Sequence, residues 1–254
     1  MRLDQALVAR GLTDSRARAQ ALIAAGAVAV NGTETTKASQ KVTDDADITL
    51  TADPLPYVSR AALKLKHGIE VFSLDPTGKT ALDLGASTGG FTEVLLEAGA
   101  EAVWAIDVGH GQIHDSLRRD PRVHVIEGQN VRDLQPGMVP TPDWIVSDLS
   151  FISLEKALPA PLALAAPGCI LVALIKPQFE VGRAAIGKGG IVRDTDAVKT
   201  VRTRIATFLE TLDWQILGQT TSPIPGGDGN TEYLIAAQKR DQGGYTPSRA
   251  IKNT

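Results

Sequence analysis

Several residues of this chain stand where a packed core would not want them. The segment ALDLGASTGGFT (81–92) is an apolar run ending near Asp83, then Gly85, Ser87, Gly89 and Gly90, then a helix-like stretch. A glycine-rich turn between strand and helix lets a small cofactor lie against bare backbone beyond the strand. The next apolar run, AVWAID, ends in Asp107, and a carboxylate there suits the two hydroxyls of an adenosine ribose. Asp148 follows the run in DWIVSDLSF, Lys176 closes the run in ILVALIKPQFE, and Glu232 opens the run in GNTEYLIAAQ. Ligands of an open parallel sheet bind beyond the carboxyl ends of its strands. An antiparallel last strand would bring Glu232 to that same edge. Each feature also has a plainer reading: a tight connection for the glycine turn, a snorkelling side chain for Lys176, an exposed carboxylate for Glu232.

The elements that must carry these residues follow from periodicity. Apolar runs predict strands near 80–84, 102–106, 122–126, 143–147, 169–175, 214–219 and 232–237. Helices fit near 58–70, 90–98, 112–119, 153–165 and 195–212. Such alternation predicts an α/β fold with a mostly parallel seven-stranded sheet. The last two strands follow one another without a helix, as in a closing antiparallel hairpin. The first 50 residues differ. A short helix carries apolar residues 3, 6 and 7, and a second opens at Ser15-Arg16 with Asp14 or Thr13 as cap and stops at Gly26. AVAVNG reads as a strand into an Asn31-Gly32 turn, and DITLT as another strand. The expected division is a small α+β domain at 1–51, a Pro-rich linker at 52–57, the α/β domain at 58–240 and a flexible polar tail at 241–254.

Of the 254 residues 43% are hydrophobic and only 4% aromatic, so the core must be mostly Ala, Val, Leu and Ile. The net charge of −3 gives no bulk signal for nucleic acid, and any basic surface must be local. Residues 1–43 are such a place, with six Lys or Arg against three acids. Arg16 and Arg18 open a helix against the preference for cations at its other end, which suits a phosphate-facing role as well as a solvated surface. Cys169 is the one cysteine, and it starts a buried strand as a small core residue. With no signal-peptide pattern, no long apolar run and no metal-ligand spacing, a cytoplasmic protein without membrane or metal is expected.

D-x-G-x-x-x-G-G at 83–90 is not the dinucleotide fingerprint; it resembles the first motif of S-adenosylmethionine-dependent methyltransferases. R-L-D-x-A-L-V-x-R-G-L, with the following S-R-x-x-A-Q-x-L-I and V-x-V-N-G, resembles the alpha-L RNA-binding module of ribosomal proteins. That likeness implies that Arg2, Arg16, Arg18, Gln20 and Lys37 lie on the RNA side. Lys64 shares a helix face with Arg60. Lys64, Asp148, Lys176 and Glu232 match the tetrad of the FtsJ-like ribose 2′-O-methyltransferases. SRAALKL, SDLSFISL, KPQFEVGR, GKGGIVRD and GNTEYL further match the TlyA (hemolysin A-like) family, which implies a methyltransferase variant of the Rossmann fold acting on cytidine riboses of ribosomal RNA. One departure is the linker, where some members carry a basic, Trp-containing motif and this chain reads Asp53-Pro-Leu-Pro-Tyr57.

The implied chemistry assigns roles. A ribose hydroxyl must be oriented and must lose its proton as the new bond forms. A lysine serves as base only when neutral, and useful base catalysis wants a pKa of roughly 7–8 against an ordinary value of about 10.4. Lys176 is the expected base, with Asp148 holding it, Lys64 orienting the 2′-oxygen, and Glu232 positioning Lys64 or the ribose. Gly85, Ser87 and Gly89 would touch the methionine end of S-adenosylmethionine. Asp83 would anchor its amino group, Asp107 its ribose, and Asn130 or Asp133 its adenine; Asp133 could equally cap its turn. Asp148-Leu-Ser-Phe151 lacks the two prolines of amine-directed methyltransferases. The loop 182–194, with Arg183 and Lys188 among glycines, reads as an RNA-facing flap, and Arg60 as a further RNA contact. The competing reading is a non-catalytic RNA-binding or ribosome-assembly protein on a methyltransferase scaffold.

Overall fold

In the computed structural model the described residues are 1–13, 15–51, 57–182 and 185–241, without the side chain of Lys188. The chain divides into two units, Met1–Pro56 and Tyr57–Thr254. Residues 52–56 of the linker expected at 52–57, Asp14, Arg183 and the predicted tail beyond Asp241 lie outside the described residues.

In the first unit, α1 (Leu3–Ala9) and α2 (Arg16–Ala24) pack on a three-stranded antiparallel sheet of order β2-β1-β3. Here β1 is Val28–Val30, β2 Thr33–Glu34 and β3 Ile48–Leu50. Asn31 and Gly32 both take positive φ, 50° and 75°, which matches the twist of a two-residue hairpin joining Val30 to Thr33. The cap of α2 is neither of the expected residues: Ser15 Oγ accepts the Arg18 N–H at 3.2 Å. Leu3, Ala6, Leu7, Ile23, Val28 and Ile48 close a core of this unit's own.

The second unit is built on a seven-stranded sheet of order β6-β5-β4-β7-β8-β10-β9. Its strands are β4 (Thr80–Leu84), β5 (Ala102–Asp107), β6 (Val123–Glu127), β7 (Trp144–Ser147), β8 (Ile170–Ile175), β9 (Trp214–Thr221) and β10 (Tyr233–Lys239). The first five pair in parallel, and β10 inserts antiparallel between β8 and β9. Central strands such as β8 are buried along nearly their whole length, as helix-covered parallel strands must be.

The helices are α3 (Ala61–Val71), α4 (Gly90–Glu97), α5 (Asp115–Arg118), α6 (Leu154–Ala157), α7 (Pro159–Ala163), α8 (Pro177–Glu180) and α9 (Thr195–Thr211). Two expectations need correction. The helix expected over 153–165 is broken between α6 and α7, because Pro159 has no N–H to continue α6 and starts a new turn instead. The helix expected over 112–119 shrinks to the four residues of α5. Gly90 lets α3 and α4 approach: a Cβ there would lie 3.1 Å from the Ala62 backbone nitrogen. Gly68 faces Val172 and Leu234, so α3 lies on β8 and β10. These two glycines set the position of Lys64.

Candidate active site

The carboxyl ends of β4, β7 and β8 meet at one edge. Asp148 donates its N–H to Leu84 O at 3.0 Å, joining the tips of β7 and β4. A Cβ on Gly85, whose φ is +83°, would sit 3.1 Å from Asp148 O, so only glycine fits there without strain. Tyr233 of β10 pairs with Ile175 of β8. The antiparallel register therefore sets Glu232 opposite Lys176, the residue that follows β8.

Two ion pairs occupy this edge. Lys176 Nζ lies 2.6 Å from Asp148 Oδ1 and donates a hydrogen bond to Ser150 Oγ at 2.9 Å. The contact with the Asp148 carboxylate is an ion pair off hydrogen-bond alignment, and the hydrogen bonds go to Ser150 Oγ and, at 3.4 Å, to the Asp148 backbone oxygen. Lys64 Nζ donates to Glu232 Oε2 at 2.5 Å, with both side chains at least nine-tenths buried. Buried charges persist only when paired, and each lysine here has its own carboxylate. Gly226 makes room for Glu232, since a Cβ there would fall 2.5 Å from Oε1. Asn230, 1% exposed, accepts the Val192 N–H at 2.9 Å and donates to Gly190 O at 3.0 Å. It thereby ties the turn containing Lys188–Gly190 to the loop that carries Glu232.

The glycine turn joins β4 to α4. Asp83 is fully buried. Its Oδ2 accepts the Thr92 hydroxyl at 2.7 Å, while Oδ1 has no partner. Burial pushes this carboxyl up to about 7, and the hydrogen bond from Thr92 only partly offsets it. A buried acceptor in want of a donor fits an ammonium group, so the turn fits the amino-acid end of S-adenosylmethionine. Ser87 takes φ +48° and is exposed, while Gly89 is buried and a Cβ on it would run into Leu117. Asp107 Oδ2 accepts the Ser87 N–H at 2.8 Å and Oδ1 accepts the Gly109 N–H at 2.7 Å, so this carboxylate is aimed by the turn itself. Of the residues expected near an adenine, Asn130 caps the short 3-10 turn Val131–Asp133 through the Arg132 N–H, and Asp133 is exposed. The cap is therefore Asn130 and not Asp133. Glu127, which the sequence reading missed, accepts N–H groups of the 111–113 turn and pairs with Arg118; backbone donation from Gly111 leads in holding it down at about 2.

Phe151 was also missed. It is 90% exposed, adopts φ +65°, and packs against Phe179 with ring centroids 5.0 Å apart. Both rings line a cavity of about 660 Å³ whose lining also includes Arg132 and Lys156, and Arg204 paired with Glu155 and Glu180. The only sequence signal was an aromatic residue three positions past Asp148. Cys169 is buried, and burial pushes its thiol up, so it supplies no thiolate nucleophile. Among the described residues no group of three or more His, Cys, Asp or Glu is placed to hold a metal, and no helix is long and apolar enough to cross a membrane.

The residues expected on the RNA side are spread over both units. Arg2, Arg16 and Gln20 converge on Asp4. Lys37 and Arg60 are exposed and Arg18 is half-buried. Lys188 lies in a 3-10 turn with no side chain described, and Arg183 lies outside the described residues.

Comparison with known proteins gives a consistent picture. The model of the FtsJ-like methyltransferase family matches residues 57–239, and that of the S4 domain matches residues 1–48. A Mycobacterium tuberculosis protein named 16S/23S rRNA (cytidine-2'-O)-methyltransferase TlyA is 44% identical over 92% of this chain and 88% of its own. Hemolysin A of Brachyspira hyodysenteriae is 41% identical over 92% of this chain and 98% of its own. A solved structure from Streptococcus thermophilus, named as a hemolysin, is 39% identical with a TM-score of 0.76, covering 95% of this chain and 89% of that one.

Proposed function

The chain belongs to the FtsJ-like methyltransferase family, and from that premise we propose that it methylates the ribose 2′-hydroxyl of cytidines in ribosomal RNA, using S-adenosylmethionine in the cytoplasm. The observation that carries this reading is the pair of separately neutralised lysines at one sheet edge, Lys176 with Asp148 and Lys64 with Glu232. Relatives named as rRNA cytidine-2'-O-methyltransferases support the substrate class. Residues 1–51 serve as the RNA-binding module and 58–240 as the methyl-transfer domain.

Asp83, Gly85, Ser87, Gly89 and Asp107 would hold the cofactor, with Asn130 and Asp133 toward its adenine. When bound, it supplies a methyl group made electrophilic by the sulfonium. Lys64 Nζ orients the 2′-oxygen by donating a hydrogen bond, and Glu232 holds Lys64. Lys176 Nζ accepts the 2′-hydroxyl proton after giving up one of its own, a loss that the ion pair with Asp148 opposes and that must precede the reaction. Asp148 then faces an ammonium ion, so the charge created on Lys176 is balanced where it forms. Phe151 offers an exposed ring on which an unstacked base can rest.

The test uses ribosomal subunits from a strain lacking this protein, purified wild type, radiolabelled methyl-S-adenosylmethionine and Lys176→Ala. The expected result is label in rRNA at a site resistant to alkaline cleavage, and a loss of at least about a hundredfold in the variant, the usual reach of general base catalysis. Full single-turnover rate in the variant would overturn the role of Lys176. Label in an alkali-sensitive position would overturn the ribose assignment.

A further inference from the structure

The first unit holds a charge arrangement that the methyl-transfer reading does not use. Asp4 on α1 is 0% exposed, and four N–H groups surround its carboxylate. Arg2 Nε donates to Oδ1 at 2.9 Å and Arg2 Nη2 to Oδ2 at 3.2 Å. Arg16 Nη2 donates to Oδ2 at 3.1 Å, and Gln20 Nε2 to the same oxygen at 2.8 Å. The carboxylate is sealed beneath, while the two arginine side chains remain 44% and 55% exposed. One anion under two cations leaves a net positive surface.

The geometry matters because free arginine side chains lose much rotamer entropy when they dock on a ligand. Here Arg2 is bonded along one side through Nε and Nη2, Arg16 is held through Nη2, and Gln20 one helical turn beyond Arg16 braces the same oxygen. Arg10 shows the contrast: it spends its N–H groups on the carbonyls of Thr43, Asp44 and Ala46, within the unit. We propose that Asp4 is a positioning residue that pre-sets Arg2 and Arg16 as a two-pronged clamp for the phosphodiester backbone of RNA. This rests on the reading of the first unit as an RNA-binding module. A phosphate is the fitting partner because its several oxygens can accept guanidinium N–H groups that Asp4, itself enclosed, cannot reach.

The variant Asp4→Asn separates positioning from charge. It removes one negative charge, so if charge alone governed binding, RNA affinity would rise. If Asp4 positions the arginines, affinity for ribosomal subunits falls about tenfold despite the added net charge. In the same titrations kcat at saturating RNA and cofactor affinity stay at wild-type values, which a general folding defect would not allow. Arg16→Lys keeps the charge and loses the fork; it is expected to weaken binding nearly as much as Arg16→Gln and serves if Asp4→Asn fails to fold. The slope of log affinity against log salt should drop by roughly one for each arginine removed. Tighter binding by Asp4→Asn, or an unchanged affinity and salt slope in Arg2→Gln and Arg16→Gln, would overturn the proposal. Absence of any salt-dependent binding by the wild type would instead overturn the RNA-binding reading itself.

Discussion

Asp83 and Phe151 are both costly where they stand. A carboxyl raised to about 7 by burial binds more protons folded than unfolded between its ordinary value of 3.8 and about 7. Its contribution to stability therefore declines as pH rises through that interval. Asp83→Asn should flatten that part of the pH dependence of Tm, as read by thermal melts from pH 4 to 8. An ammonium group placed at Oδ1 favours the ionised form, so cofactor affinity should rise as pH climbs toward 7, with proton release on binding below that. Calorimetry in buffers of different ionisation heat would detect this release in wild type and not in Asp83→Asn. Phe151 holds a bulky side chain at φ +65°, a conformation that costs on the order of 1–3 kcal/mol. Its ring buries little in return. Phe151→Ala should lower kcat/KM for ribosomal subunits about tenfold or more, since base–aromatic stacking contributes roughly 1–3 kcal/mol, while cofactor affinity is unchanged in equilibrium binding.

Loops at the sheet edge are coupled through a few side chains. Gln178 on α8 donates to Asp228 Oδ2 at 3.1 Å, Asn230 holds Gly190 and Val192, and Glu232 holds Lys64. The stretch 226–232 thus joins the turn after Lys176, the glycine-rich turn and α3. Asn230→Ala deletes two partly buried hydrogen bonds, each contributing about 1 kcal/mol net. The expected outcome is a kcat lowered about tenfold with KM for S-adenosylmethionine unchanged, measured by steady-state methyl transfer. Asn230→Asp keeps the bond from Val192 N–H and loses donation to Gly190, so it should fall between wild type and the alanine variant. The same logic explains why the helix expected over 153–165 breaks. Its apolar spacing is helical, but Pro159 stops α6 and begins α7 whatever the spacing says.

Each of the two units closes its own apolar cluster, one around Leu3, Leu7 and Ile23 and one around Leu82, Ile145 and Leu171. A fragment of residues 57–241 should therefore fold alone and bind S-adenosylmethionine as the full chain does, while methylating ribosomal subunits far more slowly at limiting RNA. Equilibrium binding and initial rates on the same preparations check this. The net charge of −3 makes RNA binding a property of local cations. Its salt dependence should accordingly reflect a few contacts rather than the whole surface.

Local patterns determined the α/β class, the closing hairpin and the glycine turn, with all seven strands of the large sheet read to within two residues of their ends. Alternation, apolar runs and turn residues are short-range signals, and parallel sheets are built from such repeats. Sequence likeness suggested which four ionisable residues belong together, but left Glu232 between Lys64 and the ribose. The fold settled its neighbour: β10 inserts beside β8, and Glu232 meets Lys64 across 168 positions of chain. Asp4 under its arginines, the bared ring of Phe151 and the Asn230 clasp were likewise invisible beforehand. Burial and partner choice depend on which distant elements pack together, and no spacing along the chain encodes that.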